Sequence, residues 1–360
     1  MKIVPFFLAA CISTTFAQDD AVLGKLHPAK SEWTKQYDLS KVPNKPLRAV
    51  GSGVCKDTKC GPEDCDKCFE SCGNCPTKED VYGCEAGEWA LTFDDGPSEF
   101  TTQLLDILAA AKVKATFLMV GSNVVKYPEV VKRAFDEGHQ ISQHTWSHPH
   151  LMSISNEQIV AELRATEEAI FNVTGARTAF VRPPYGEADD RVKGVFKAMG
   201  YHNLLWNMDT LDWDIVGKKQ NPDKILDSFK NALTKDTGLN PFNNPGFISL
   251  QHDLYVETVK RVPKIEELLA QHNFHFVLAH DCINVSPYKN ASNSSTIQTV
   301  SSAVSPTSTI QASSSSQAAT PKISTDTQGT ANVEAASRGS SIQFSSGLFA
   351  LCLIALTSSV

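Results

Sequence analysis

No Gly-x-Ser-x-Gly elbow occurs anywhere in the 360 residues, which argues against a serine-esterase mechanism. Basic residues are in deficit: 33 Lys and Arg stand against 40 Asp and Glu, a formal net charge of −7, so there is no cationic surplus of the kind nucleic acid requires. Long apolar runs are missing as well. Those at the two ends, Ile3 to Ala10 and Leu348 to Leu356, are too short to span a bilayer comfortably, and the second lacks a basic stop-transfer flank. No two cysteines are adjacent.

The short end runs are explained as processing signals. Lys2, the apolar run and the small residues around Ala17 predict a secretory signal peptide over 1–17, cut ahead of Gln18. Small residues between Ala335 and Ser341 followed by the terminal apolar run predict a glycolipid (GPI) anchor signal over 340–360, removed on attachment. Between them, a Ser/Thr-rich tract over 291–346 has no periodic apolar face and reads as an O-glycosylated stalk. Asn172, Asn284, Asn290 and Asn293 each head an Asn-x-Ser/Thr sequon. The chain is therefore expected at the cell surface, anchored to the plasma membrane or passed to the wall, and as a monomer.

Of the ten cysteines, Cys11 and Cys352 fall in the discarded ends. The rest, Cys55, Cys60, Cys65, Cys68, Cys72, Cys75, Cys84 and Cys282, form an even set, and in a secreted chain they predict disulfides in preference to a zinc knuckle. One bridge is expected to tie the cluster in the lead-in, 18–87, to Cys282 at the far end of the main domain, 88–281.

Within that domain short apolar runs alternate with segments of helical period. Strands are predicted at Trp89 to Phe93, Lys114 to Val120, Gln140 to Gln143, Thr178 to Val181, His202 to Asn207, Phe247 to Leu250 and His275 to Leu278. Helices are predicted at Thr101 to Ala111, Tyr127 to Glu137, Asn156 to Phe171, Asp189 to Met199, Asp223 to Leu233 and Val256 to Leu269. This alternation predicts a barrel-like α/β fold. Asp94-Asp95, His144, Arg182, Asp209 and His252 each fall just past a predicted strand, on the face where such barrels carry their sites.

Those clusters suggest metal-assisted hydrolysis. His144 and His148 with Asp95 would give two nitrogens and one oxygen around a divalent ion, leaving positions open for water and substrate. Such an ion brings the pKa of a water to about 7 and polarises a carbonyl. Asp94 would then be free as general base, steadied by Arg182. Pro183 and Pro184 stiffen the chain where Tyr185 could aim its amide at developing negative charge. His252 is placed to protonate a departing amine, with Asp209 as the candidate partner that holds its tautomer. Trp213 and Leu250 could wall a pocket for a methyl group.

Read in order, Thr92 to Pro97, His144 to His148, Arg182 to Tyr185, Asp209 to Trp213 and Ile248 to His252 resemble the five motifs of the polysaccharide deacetylases, the NodB-like carbohydrate esterases of family four. The resemblance implies a distorted (β/α) barrel and one divalent metal, zinc or cobalt, on Asp95, His144 and His148. It also implies Asp94 as base, held by Arg182; His252 as acid, tuned by Asp209; Tyr185 as oxyanion donor; and Trp213 with Leu250 around the acetyl group. With a secretory leader, stalk and anchor signal, the chain resembles the fungal cell-surface members that act on chitin. The Cys55 to Cys84 cluster lacks the Cys-Cys pair of hevein-type modules and reads as a stapled lead-in. Peptidoglycan, acetylated xylan or a catalytically silent wall-binding role are the rival expectations.

Overall fold

Trp89, Leu91 and Phe93 alternate with Ala90, Thr92 and Asp94, and in an extended chain the two sets face opposite ways. The computed structural model, which describes residues 25–61, 63–65, 67–73 and 75–289, builds a curled parallel sheet on that alternation. Its strands are β1 (Glu88–Asp94), β2 (Thr116–Met119), β3 (Gln140–Gln143), β4 (Phe180–Val181), β5 (His202–Asn203), β6 (Met208–Asp209), β7 (Phe247–His252) and β8 (His275–Val277). The order is β5-β4-β3-β2-β1-β7-β6, with β8 added against β1, and every ladder is parallel. The sheet is a distorted (β/α) half-barrel, as the alternation and the resemblance implied.

Helices surround it: α1 (Ser31–Thr34), α2 (Phe69–Cys72), α3 (Thr101–Ala111), α4 (Gly121–Lys126), α5 (Pro128–Asp136), α6 (Asn156–Thr174), α7 (Asp190–Ala198), α8 (Asp212–Gly217), α9 (Asp223–Ala232), α10 (Val256–Val259) and α11 (Val262–Gln271). Trp89, Leu91 and Phe93 pack outward in one core with Leu104 and Leu108 of α3, Val131 of α5, Phe229 of α9 and Leu269 of α11. Ala90, Leu118, Phe180, Leu204 and Ile248 form a second core on the inner face. The inner positions nearer the strand ends are polar, and they make the site.

A third core joins the lead-in to the barrel. Trp33 of α1 and Phe69 of α2 are buried with Ile159 and Leu163 of α6 and Val192 and Phe196 of α7. Val81 bridges to Leu204 in parallel, extending the sheet past β5. Disulfides join Cys55 to Cys68, Cys60 to Cys72 and Cys84 to Cys282. The last spans 198 residues and supplies the expected tie between lead-in and domain end.

Two readings of the sequence are corrected. The apolar stretch His202 to Asn207 was expected as one strand, yet β5 pairs with β4 while β6 pairs with β7, at opposite ends of the sheet. Leu204 to Asn207 crosses the gap between those edges, and no periodicity marks such a crossing. The helix expected over Val256 to Leu269 is two, because Pro263 lies in the first turn of α11, where its ring would interrupt a continuous helix. Helix α4, too short to show a period, was not anticipated. The expectations for 1–17, 291–346 and 340–360, and for Asn290 and Asn293, lie outside the described residues.

Candidate active site and metal centre

Strand β1 ends in Asp94, and the next residue, Asp95, turns the chain at a φ of 73°. Such a conformation is uncommon for a side-chain-bearing residue and persists only where neighbours hold it. Here Asn123 Nδ2 donates to the Asp95 carbonyl at 2.8 Å and Asp95 N donates to Leu118 O at 3.1 Å. Gly96 follows because a Cβ there would collide with the Asp253 carboxylate.

The loop after β3 carries both histidines and is shaped from behind by a buried carboxylate. Glu162 of α6 accepts Trp146 N at 3.0 Å, Ser147 N at 2.8 Å and Ser147 Oγ at 3.1 Å on one oxygen. Its other oxygen accepts His27 N of the lead-in at 2.7 Å. Thus folded, the loop sets His144 Nε2 and His148 Nε2 each 3.4 Å from Asp95 Oδ1. His144 Nδ1 lies 2.8 Å from the Arg182 carbonyl; a carbonyl only accepts, so the proton sits on Nδ1 and the Nε2 lone pair faces Asp95. Burial, reinforced by His148, pulls the His144 pKa down to about 3, leaving a neutral imidazole, the ligand form.

Both Asp95 oxygens are buried without a hydrogen-bond partner among the described residues. A buried carboxylate left so is costly unless a cation faces it. Asp95, His144 and His148 offer ligand atoms within 4.8 Å of one another, and this buried set is compatible with a divalent metal.

Asp94 is held separately. Arg182, which follows β4 and is wholly buried, donates from Nη1 to Asp94 Oδ1 at 2.6 Å and to Thr92 Oγ1 at 2.8 Å. Its Nε and Nη2 donate to Leu204 O at 3.0 Å and Leu205 O at 2.9 Å. Burial pushes the Asp94 carboxyl up to about 7 against the opposing charges of Arg182 and His252.

His252 closes the opposite wall at the end of β7, with Nε2 4.0 Å from Asp95 Oδ2. Its partner is Asp212, which corrects the expectation for Asp209. Asp212 Oδ1 lies 2.7 Å from His252 Nδ1, and Asp212 Oδ2 accepts His252 N and Thr258 Oγ1, both at 2.8 Å. Asp209 instead accepts Leu211 N at 2.8 Å, closing a local turn. Burial opposes charge on His252, but Asp212, with Asp95 and Asp94 behind it, raises the pKa to about 10. Both aspartates lie in one five-residue motif. What separates them is that Leu211, at a φ of 54°, swings Asp212 into the first turn of α8 beneath β7.

The Pro184–Gly186 turn places Tyr185 at a φ of 60° with its ring edge-on to His148, centroids 4.6 Å apart. Leu250 is buried and, two residues before His252, shares its face of β7, while Trp213 stands 42% exposed on α8. Asn172 and Asn284 are both exposed. Sequence reading passed over Asp212, Glu162 and Asp253. Asp253 accepts Thr101 Oγ1, and burial pushes its carboxyl up to about 7.

A family model described as polysaccharide deacetylase matches residues 84–204. Chitin deacetylase 1 of Cryptococcus neoformans var. grubii is 38% identical over 239 residues, 63% of this chain and 49% of that protein. Chitin deacetylase 2 of Saccharomyces cerevisiae is 38% identical over 207 residues, 57% of this chain and 62% of that protein. The match thus spans about half to three fifths of these curated relatives. Among solved structures, a chitin deacetylase from Colletotrichum lindemuthianum is 31% identical, with 59% of this chain and 96% of that chain covered at a TM-score of 0.54. A peptidoglycan N-acetylglucosamine deacetylase is 32% identical, with 58% and 94% covered at a TM-score of 0.50.

Proposed function

Because the chain belongs to the polysaccharide deacetylase family, we propose that it removes N-acetyl groups from N-acetylglucosamine residues of chitin, giving chitosan and acetate. The observation that carries the reading is the pair of walls around Asp95: a carboxylate held by a buried arginine on one side, an imidazole held by a buried carboxylate on the other. General base and general acid catalysis need groups kept apart and oppositely protonated, which these environments favour.

Asp95, His144 and His148 would hold the divalent ion, zinc or cobalt, whose chemistry is to activate water and polarise the acetamide carbonyl. Asp94, oriented by Arg182 and poised near neutrality, takes the proton of the attacking water. The Tyr185 amide is assigned to the developing oxyanion. His252, kept charged by Asp212, gives its proton to the departing amine, and Trp213 with Leu250 receives the acetyl methyl. Asp209 keeps a supporting electrostatic part beside Arg182.

Chitin is favoured because the curated relatives bear that name; likeness to the peptidoglycan enzyme makes that polymer the second reading. The disulfides are consistent with an extracellular protein. We further read the chain as secreted and GPI-anchored, a monomer, with 18–87 as lead-in, 88–281 as catalytic domain and sugars on its sequons. No helix among the described residues is long and apolar enough to cross a membrane.

The test is acetate release from chitin oligomers, peptidoglycan and acetylated xylan, with chelator and then with zinc or cobalt restored. Metal-dependent acetate from chitin supports the proposal. Release only from another polymer replaces the substrate, and silence on all of them refutes the enzyme reading.

A further inference from the structure

His150 and Glu187 have no task in the chemistry above, yet they meet at the lip of the site. The His150 ring lies face to face on the Tyr185 ring, centroids 3.9 Å apart and planes 7° from parallel. His150 Nδ1 is 2.8 Å from Glu187 Oε2, and the Glu187 side chain is 4% exposed against 25% for His150. An imidazole stacked on one neighbour and tied to a buried carboxylate has lost both of the rotations by which it could leave.

The residue it covers is the one that needs holding. Tyr185 sits at φ 60°, ψ 6°, a conformation that bulky side chains rarely adopt and that surroundings must enforce. Gly186, at φ 70°, leaves the chain no room on the other side, since a Cβ there would lie 2.8 Å from Trp206 Cη2. The stapled lead-in backs the same turn: a Cβ on Gly73, next to Cys72, would lie 3.6 Å from Gly186 O. The turn is thus supported by Trp206 and the lead-in from behind, and on the site side by His148 and His150.

We infer that His150 and Glu187 are positioning residues, a clamp that holds Tyr185 in its left-handed conformation and so aims its backbone amide at the substrate carbonyl. The inference rests on the deacetylase reading and adds two residues to it. Both act through Tyr185.

The experiment compares His150→Ala, His150→Phe, Glu187→Ala and Glu187→Gln with the unmodified full chain. It reads kcat and KM on chitin oligomers, bound metal, and hydrogen exchange of the peptide over 182–189. Losing an oxyanion donor outright costs roughly 10²- to 10³-fold in kcat, and loosening one is expected to cost about 10- to 30-fold. That loss is expected for His150→Ala and Glu187→Ala, with KM within about twofold, metal retained and faster exchange. His150→Phe keeps the stack and Glu187→Gln keeps a hydrogen bond, so both should recover most of the rate. The clamp is overturned if His150→Ala leaves kcat and exchange unchanged, if only KM moves, or if metal is lost. Exchange needs no substrate, so a chain silent on every polymer would refute the deacetylase reading while the clamp is still decided.

Discussion

Replacing Glu162 separates two jobs that one carboxylate performs. Its Oε2 gathers three donors of the ligand loop and its Oε1 gathers the backbone of His27. Glu162→Ala orphans three backbone N–H groups and a hydroxyl. Hydrogen bonds to a charged acceptor are worth about 1.5–3 kcal/mol each, but the hydroxyl can rotate and water can enter the vacated space, so a net loss of about 3–4 kcal/mol is expected. For a domain of this size that is a fall in Tm of roughly 6–16 °C. Support behind metal ligands commonly governs 10- to 100-fold in affinity, and a loss in that range is expected too. Glu162→Gln can keep a carbonyl toward Trp146 and Ser147 but turns an NH₂ toward His27 N, donor against donor. It should cost about 1–2 kcal/mol while binding metal nearly as well as the parent. Removing residues up to 29 should resemble the Gln variant. Thermal denaturation gives the first quantity and competition with a chelator the second. If Glu162→Gln loses metal as badly as Glu162→Ala, or if Glu162→Ala binds normally, the division between the two oxygens is wrong.

Asp94→Asn should abolish acetate release while leaving bound metal near normal, and His144→Ala should lose both; metal analysis showing loss in the first variant would refute the separation of base from ligand. In Asp212→Asn the charge that raises His252 is gone, so its pKa falls from about 10 toward the ordinary 6.5. A general acid works only below its pKa, so the alkaline limb of the pH–kcat profile should move down by more than one pH unit, and an unmoved limb would remove His252 as the acid. Glu266 has a buried oxygen without a hydrogen-bond partner among the described residues, and burial pushes its carboxyl from 4.5 up to about 7. The folded state holds the proton more tightly, so no penalty exists below pH 4.5, it grows from there to pH 7, and above pH 7 it is complete. Discounted for partial solvent screening, the penalty is about 1 kcal/mol, so Glu266→Gln should raise Tm by roughly 2–4 °C at pH 8 and leave it unchanged at pH 4.5. A gain equal at both pH values would mean packing and not charge.

What was legible in the sequence is what side-chain identity announces. Asp94 and Arg182 were readable because each ends an apolar run, His144 and His252 because each falls just past a predicted strand, and a polar residue at a parallel strand's end has one place to go. Helix α3 and strand β3 were read to the residue, the first from its period and the second from its flanks. Asp209 was taken for Asp212 because both are aspartates three apart, and only the left-handed turn at Leu211 decides which faces His252. The tie from Glu162 to His27 could not be read at all, since its donor is a backbone N–H, which every residue but proline possesses. Nor could the stack of His150 on Tyr185, which depends on two loops 35 residues apart meeting at one lip.

The guanidinium of Arg182 reaches Asp94, the proposed base, with one nitrogen and the crossing between the sheet's two open edges with the other two. Asp94 is therefore oriented by the same group that keeps Leu204 and Leu205 in place, and the two duties cannot be adjusted separately. A lineage, or an engineer, wishing to shift the working pH could change the groups around His252, where several residues share the load. At Arg182 every experiment in basicity is also an experiment in folding, so the pH range of the base is inherited with the architecture.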